Sequence, residues 1–240
     1  MRIALVGYGK MGKEIERLAV ERGHEISLRV DSNNLLIDQL HKLGEVDVAI
    51  EFSTPEAAYG HLSLLLDAKV PVVCGTTAWL DKREEVEALC QSRKTGFFYA
   101  SNFSLGVNLF FKLNQHLAKL MAPFEDQYKV RLKEIHHTTK LDAPSGTAIS
   151  LAEDLINVLP GVEGWTDKTD EKGQLHIESE RLPNVPGTHF VNYRSEVDDI
   201  LIQHVANSRV GFAKGALTAA EWLIGKEGVF GMDDLLNLNK

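Results

Sequence analysis

The chain has 240 residues, 44% hydrophobic and 25% charged, the composition of an ordinary globular protein with one large or two small domains. Its net charge of −8 argues against nucleic acid as the main partner, because phosphate contacts need clustered Lys and Arg. No apolar run approaches the roughly 20 residues that span a bilayer, so no membrane partner is expected. The two cysteines, Cys74 and Cys90, form neither a disulfide framework nor a zinc-ligand spacing.

Residues 2–6 read as a strand rather than as a cleavable apolar leader, so a cytoplasmic protein is expected. Over roughly the first hundred residues, apolar runs alternate with amphipathic stretches. Residues 3–6, 25–30, 46–52, 70–76 and 97–100 read as strands, and 10–22, 55–68 and 80–93 as helices. Strand–helix alternation with short connections predicts an α/β fold: a Rossmann-like, doubly wound parallel sheet covered on both faces.

The texture then changes. Residues 105–121 form an amphipathic helix with Leu109, Leu113, Leu117 and Leu120 along one face. Residues 128–137 alternate as a strand, 145–159 are helical, and 161–173 read as an exposed loop. Strand-like runs follow at 174–182, 188–194 and 199–207. They predict a second, α+β domain built on an open mixed sheet, broad enough to support self-association. The tail returns to helix at 213–226, with Trp222 on its apolar side, and ends in a short segment, 232–238. It is expected to pack back on the first domain. That domain is therefore predicted to be discontinuous, residues 1–103 plus 210–240, with 104–209 forming a substrate-binding and oligomerisation domain.

Gly7-Tyr8-Gly9-Lys10-Met11-Gly12 is a GxGxxG at the junction of the first strand and first helix, the setting in which it binds a dinucleotide. Gly7 permits the tight turn, Gly9 lets the backbone approach the pyrophosphate, and Gly12 lets helix and strand pack closely. Asp31 ends the second strand about 20 residues on, where an acidic side chain accepts hydrogen bonds from a ribose. Asp31 opposes a 2′-phosphate, and Ser32 follows it in place of an arginine. NADH should then be accepted at least as well as NADPH. Phe52-Ser53-Thr54-Pro55 and Gly75-Thr76-Thr77 close the third and fourth strands, at the carboxyl ends where open parallel sheets bind ligands.

Residues 134–148 read Glu-Ile-His-His-Thr-Thr-Lys-Leu-Asp-Ala-Pro-Ser-Gly-Thr-Ala. Imidazoles pass protons near neutral pH, Lys140 supplies positive charge, and Ser145, Gly146 and Thr147 at a helix N-terminus form an anion site. Together they describe a pocket for a small carboxylate that is protonated during reaction. Strand alternation puts Glu134 and His136 on one face and His137 on the other. A metal site is not expected, because adjacent strand histidines diverge and no further ligand spacing is visible. Lys140 could instead pair with Asp142.

The chain resembles the 4-hydroxy-tetrahydrodipicolinate reductase family of bacterial lysine and diaminopimelate synthesis. The resemblance is carried, in order, by residues 7–12, 52–55, 75–77, 101–108 (Ser-Asn-Phe-Ser-Leu-Gly-Val-Asn), 134–148, 204–209, and Trp222-Leu223 followed by Gly225-Lys226. It implies reduction of (2S,4S)-4-hydroxy-2,3,4,5-tetrahydrodipicolinate to tetrahydrodipicolinate and water, with NADH or NADPH as cofactor. By resemblance His136 is the proton donor, and His137 and Lys140 hold the substrate, Lys140 also offsetting its developing charge. Ser145, Gly146 and Thr147 bind a carboxylate. The cofactor residues are Gly7, Gly9, Lys10, Met11, Gly12, Asp31, Phe52, Ser53, Gly75, Thr76, Thr77, Ser101, Asn102 and Phe103. A homotetramer assembled through the second domain is expected. Two departures stand out. Ala78 follows Gly-Thr-Thr where the family often has Gly, and Pro183 stands where an Arg-x-Gly pattern is common after Arg181. The rival readings are another amino-acid dehydrogenase, such as aspartate-semialdehyde or homoserine dehydrogenase, and a non-catalytic NAD-binding sensor.

Overall fold

The computed structural model describes residues 1–168, 171–208 and 210–238. Thr169 and Asp170 of the expected loop, Arg209 of the 204–209 motif, and Asn239 and Lys240 of the tail lie outside the described residues.

In chain order the elements are β1 (Arg2–Val6), α1 (Lys10–Glu21), β2 (Glu25–Val30), β3 (Val48–Glu51), α2 (Pro55–Asp67), β4 (Val72–Cys74), α3 (Arg83–Arg93) and β5 (Gly96–Tyr99). They continue with α4 (Leu105–Met121), β6 (Lys129–His136), α5 (Gly146–Ile156), β7 (Gly164–Thr166), β8 (Gln174–Arg181), β9 (Gly187–Arg194) and β10 (Asp199–Ala206). The last are α6 (Val210–Leu223), β11 (Gly228–Phe230) and α7 (Met232–Leu235). Clustering of the backbone gives two compact units, Met1–Leu105 with Val210–Lys240, and Gly106–Arg209.

The first unit holds a six-stranded sheet in the order β11-β5-β4-β3-β1-β2, with every pair parallel. Its inner strands are apolar on both faces, as a doubly covered sheet requires. On one face Ile3, Leu5, Ile50 and Phe98 pack with Ile15 of α1 and Ala216, Leu217 and Ala220 of α6. On the other, Ala4, Val6, Ala49, Val72 and Cys74 pack with Leu62, Leu65 and Leu66 of α2 and Val86 and Cys90 of α3. Helix α6 thus supplies a cover that the first hundred residues lack, which makes the unit discontinuous.

The second unit holds a five-stranded sheet, β10-β9-β6-β8-β7. It is mixed: β6 runs parallel to β8 and antiparallel to β9. Leu132, Ile177, Val191 and Tyr193 on its inner face meet Phe110, Ala118 and Met121 of α4 and Leu151, Ala152 and Leu155 of α5. Register sets a polar row beside this core. Ser179 lies opposite Glu134, Glu134 opposite His189, and His189 opposite His204.

Several boundaries differ from those expected. The run 80–93 divides into a short 3-10 turn, Leu80–Lys82, and α3. A 3-10 segment over Leu36–Glu45 was not signalled; it is held by burial of Leu36 and Leu43. Strand β7 lies inside the expected loop because Trp165 packs on the second core and pairs with β8. On α4 the buried stripe is Val107, Phe110, Asn114, Ala118 and Met121. Leu109, Leu113 and Leu120 stay exposed. Length and hydrophobicity misled there, because leucines mark an apolar face without saying which face the sheet covers. No helix of the described residues is long and apolar enough to cross a membrane.

Candidate active site

In the first unit, β1 turns into α1 through Gly7, at φ +93°, and a Cβ there would lie 2.1 Å from the Phe52 carbonyl oxygen. Only glycine combines this left-handed backbone with so close an approach. A Cβ on Gly12 would come within 2.5 Å of the Gly7 oxygen, so this glycine lets α1 pack on the turn. A Cβ on Gly9 would meet nothing within 4 Å. The open face of the turn therefore belongs to Gly9, at the N-terminus of α1, which fits an incoming pyrophosphate.

Met11, Phe52, Ser53, Gly75, Thr76 and Thr77 line a cleft beside this turn. Lys10 is exposed, as are Thr77 and Ser101. Asn102 caps its own turn, its side-chain oxygen accepting from the Ser104 amide at 2.9 Å. The Phe103 ring is core, stacked on Phe98 at 5.8 Å and tilted against Phe52 at 5.6 Å, and its carbonyl packs against Gly215, so Phe103 supports the cleft from behind. Ala78 is left-handed, at φ +61°, the backbone that the glycine usual at this position adopts without strain.

Asp31 follows β2. Its Oδ1 accepts the amides of Asn33 and Asn34 at 2.8 and 3.0 Å, an Asx turn that fixes the carboxylate and spends one of its oxygens. Arg29, a candidate cation for a 2′-phosphate, is held by Glu16 at 2.5 Å, and Glu16 also accepts the Tyr8 hydroxyl.

In the second unit the centre is Glu134, a side chain fully removed from solvent. Its carboxylate accepts the Ser145 amide at 3.0 and 3.1 Å and the Ser179 hydroxyl at 2.9 Å, and lies 3.4 Å from the Arg181 guanidinium. His136 Nδ1 stands 3.3 Å from Glu134 Oε2, within ion-pair range of a protonated ring but too oblique for a hydrogen bond. Burial opposes ionisation of Glu134. Contacts with His136, Ser145 and Ser179 outweigh it and hold the carboxyl down to about 2. His189 packs edge-on against His136, ring centres 5.1 Å apart, with Nε2 3.3 Å from Ser145 Oγ. Burial, reinforced by His136, pushes His189 down to about 3, so it is neutral at physiological pH.

Ser145 is turned inward. Its amide is committed to Glu134, and its hydroxyl caps α5 by accepting from Ala148 at 3.2 Å. Gly146 is exposed and Thr147 half-buried, so the outward amides of this helix start are theirs. Lys140 is bound to both oxygens of Asp142, at 2.8 and 2.7 Å. That hydrogen bond holds the Asp142 carboxyl below the usual range. His137 falls just past the end of β6 rather than on the strand as expected, and contacts Thr139 Oγ1 through Nδ1 at 2.8 Å.

Glu134, His136 and His189 bring metal-capable atoms within 4.8 Å of one another, a grouping that strand divergence at 136–137 did not anticipate. The Glu134 oxygens already serve Ser145, Ser179 and Arg181, and the guanidinium opposes a cation. Glu134, Arg181 and His189 were missed as site residues. Arg181 and His189 reach the site only through strand register.

The two buried groups set a pH dependence. An unfolded His189 takes a proton below about 6.5 that the folded ring refuses until about 3, and unfolded Glu134 protonates near 4.5 rather than 2. In both cases the unfolded chain binds more protons as pH falls, so stability present at neutral pH is lost on acidification. The melting temperature should fall steadily from pH 7 to pH 4. His189→Asn should flatten the part of the curve above pH 5; an unchanged slope there would show that His189 is not the titrating group.

Residues 1–103 match the dihydrodipicolinate reductase N-terminus and residues 106–236 the dihydrodipicolinate reductase C-terminus. The 4-hydroxy-tetrahydrodipicolinate reductase of Christiangramia forsetii is 46% identical over 239 residues, covering 99% of this chain and 98% of that protein. Among solved structures, the dipicolinate-bound dihydrodipicolinate reductase from Paenisporosarcina sp. TG-14 superposes with TM-score 0.77 at 25% identity, covering 98% of each chain. A probable dehydrogenase from Thermotoga maritima shares the fold, with TM-score 0.57 at 13% identity, covering 98% of this chain and 92% of that one. The chain belongs to the dihydrodipicolinate reductase family and is an oxidoreductase of lysine and diaminopimelate biosynthesis that reduces 4-hydroxy-tetrahydrodipicolinate.

Proposed function

We propose that the residues of this chain divide the family's reaction between a proton-donating imidazole, an anion-binding helix start and a nicotinamide cleft. The observation that carries this reading is the Glu134 cluster. One buried carboxylate stands beside His136 and holds the Ser145 amide that fixes the start of α5.

The substrate is a heterocyclic dicarboxylate, and the Paenisporosarcina relative is described with dipicolinate bound. The outward amides of Gly146 and Thr147 take one carboxylate, with helical charge favouring an anion there. Ser145 acts from beneath, as the residue that shapes this loop. Lys140 and His137 hold the opposite side of the substrate. Loss of the 4-hydroxyl as water gives the conjugated ring; as hydride then arrives, negative charge grows on it, which Lys140 and the amides offset, and His136 delivers the proton that completes tetrahydrodipicolinate. When bound, the nicotinamide supplies the hydride. The dinucleotide is held by the Gly7–Gly12 turn at its pyrophosphate, with Lys10 and Met11 at the start of α1, by Asp31 at a ribose, and by the cleft of Phe52, Ser53, Gly75, Thr76 and Thr77. Ser101 and Asn102 complete it, with Phe103 packed behind them. We assign the reaction to the cytoplasm, the compartment in which buried thiols such as Cys74 and Cys90 stay reduced.

His136→Gln should lower kcat ~10²–10⁴-fold, the usual contribution of a general acid, with cofactor affinity little changed. Lys140→Ala should raise KM for the heterocycle and weaken competitive inhibition by pyridine-2,6-dicarboxylate. A near-parental kcat for His136→Gln across the pH range would remove His136 from the mechanism.

The enzyme should use NADH without strong preference for NADPH. Asp31 is fixed by its turn and opposes a 2′-phosphate, while Arg29 is neutralised by Glu16. Asp31→Ala should raise KM for NADH and leave NADPH less affected. A hundredfold advantage of NADPH in kcat/KM for the unmodified enzyme would defeat this assignment.

The working form is a homotetramer assembled through the mixed sheet. On the face away from its helices lie half-buried Ile135 and Phe190 and exposed Leu201 and Val205, and among the described residues of the unit no helix covers them. Light scattering should give about four chain masses at micromolar concentration; a 26.7 kDa particle would refute it.

A further inference from the structure

A second buried carboxylate lies beneath the cleft of the first unit. Glu51 ends β3 with its side chain fully removed from solvent, in a position where neighbouring strand residues are apolar. Its Oε1 accepts the Ser53 amide at 3.0 Å and also the Ser53 hydroxyl. Its Oε2 accepts the Cys74 thiol at 3.2 Å. The main chain adds the Gly75 amide, which donates to the Glu51 carbonyl at 2.9 Å. The Ser53 amide is shared with Thr76 Oγ1 at 2.9 Å, and His61 of α2 brings Nδ1 within 3.2 Å of Ser53 Oγ and 3.7 Å of Glu51 Oε1.

These bonds tie together two turns that leave adjacent parallel strands, the one after β3 and the one after β4. The same turns supply Phe52, Ser53, Gly75 and Thr76 to the cleft. Their spacing is fine: a Cβ on Gly75 would fall 2.2 Å from the Phe52 ring. A buried carboxylate of this kind carries a large desolvation penalty, and an apolar residue of equal volume would often stabilise the fold as well or better. Glu51 therefore contributes geometry more than stability. The charge persists in spite of burial because His61, Ser53, Thr76 and Cys74 satisfy it, which holds the carboxyl below its usual range. Cys74 is inert here, its thiol pushed far up by burial and by Glu51.

We infer that Glu51 is a positioning residue for nicotinamide binding, bracing the Phe52–Ser53 and Gly75–Thr76 turns at the separation the cofactor requires. It touches no reacting atom and acts through the Ser53 amide and hydroxyl. The inference rests on the nicotinamide reading of this cleft.

The decisive variants are Glu51→Met, which keeps volume and removes every acceptor, and Glu51→Gln, which keeps an acceptor for Ser53 and removes the charge. Glu51→Met should fold and should raise Kd for NADH, measured by titration of the free enzyme, at least tenfold. Its kcat at saturating NADH should stay within about fivefold of the parent. Glu51→Gln should restore Kd to within about threefold. A role in stability alone would lower the melting temperature and leave these affinities unmoved. A folded Glu51→Met with parental Kd overturns the inference, and so does an equal loss in Glu51→Gln. Should Glu51→Met fail to fold, hydrogen exchange in the unmodified enzyme decides. The Ser53 amide should be protected without cofactor, and exchange at the rate of an open loop overturns the brace. If the unmodified enzyme binds no nicotinamide, the reading of the cleft fails instead, and the Ser53 exchange measurement still tests the brace by itself.

Discussion

The second unit depends on the carboxylate of Glu134. It sits on β6 where β8 and the loop entering α5 meet it, and both bring it donors: Ser179 and Arg181 from β8, and Ser145 from the helix start. A carboxylate removed from water is tolerable only when its lone pairs are occupied. The donors are therefore constrained as strongly as the acid. That constraint fixes the position of the α5 N-terminus relative to His136, the relation on which the proposed chemistry rests. Removing the acid would strand a buried amide and a guanidinium together, so the loss would fall on the geometry of the loop before it reached the substrate.

The same device occurs twice. Glu51 closes β3 and accepts the Ser53 amide; Glu134 lies near the end of β6 and accepts the Ser145 amide. In both, a strand-end acid reaches forward to a serine amide in a following segment; the Ser53 hydroxyl doubles the contact with Glu51, whereas the Ser145 hydroxyl caps α5. A turn or loop at the carboxyl edge of a sheet is the natural place for a ligand and the least constrained part of the fold. An internal acid gives it rigidity without filling the space a ligand needs.

What was legible in the sequence was local. The turn at Gly7, Gly9 and Gly12, the strand-end Asp31, and the run from His136 to Thr147 each stand out through spacing along the chain as candidates. What was not legible is what register creates. His189 joins the site because β9 pairs antiparallel with β6, and Arg181 because β8 pairs parallel; no local pattern distinguishes His189 from His176 on β8. Glu134 was visible inside its motif but gave no sign of being the acceptor for three donors. The leucine stripe of α4 was read correctly as periodic, yet the sheet covers Phe110, Asn114 and Ala118 instead. Strand β7 was hidden by the Gly-, Asp- and Lys-rich composition around Trp165.

The pairing of Lys140 with Asp142 has a consequence for selectivity. The ammonium keeps a carboxylate as its partner, two residues along the same loop. An entering anion must therefore exchange with an intramolecular one whose effective concentration is high. A lone chloride or a simple monocarboxylate offers Lys140 nothing that Asp142 does not already provide. On the proposed assignment a rigid dianion does, because its second carboxylate would be held at the α5 amides while the first competes for the lysine. The loop would thus read the number of negative charges on a ligand, and their spacing, through a competitor that it carries itself.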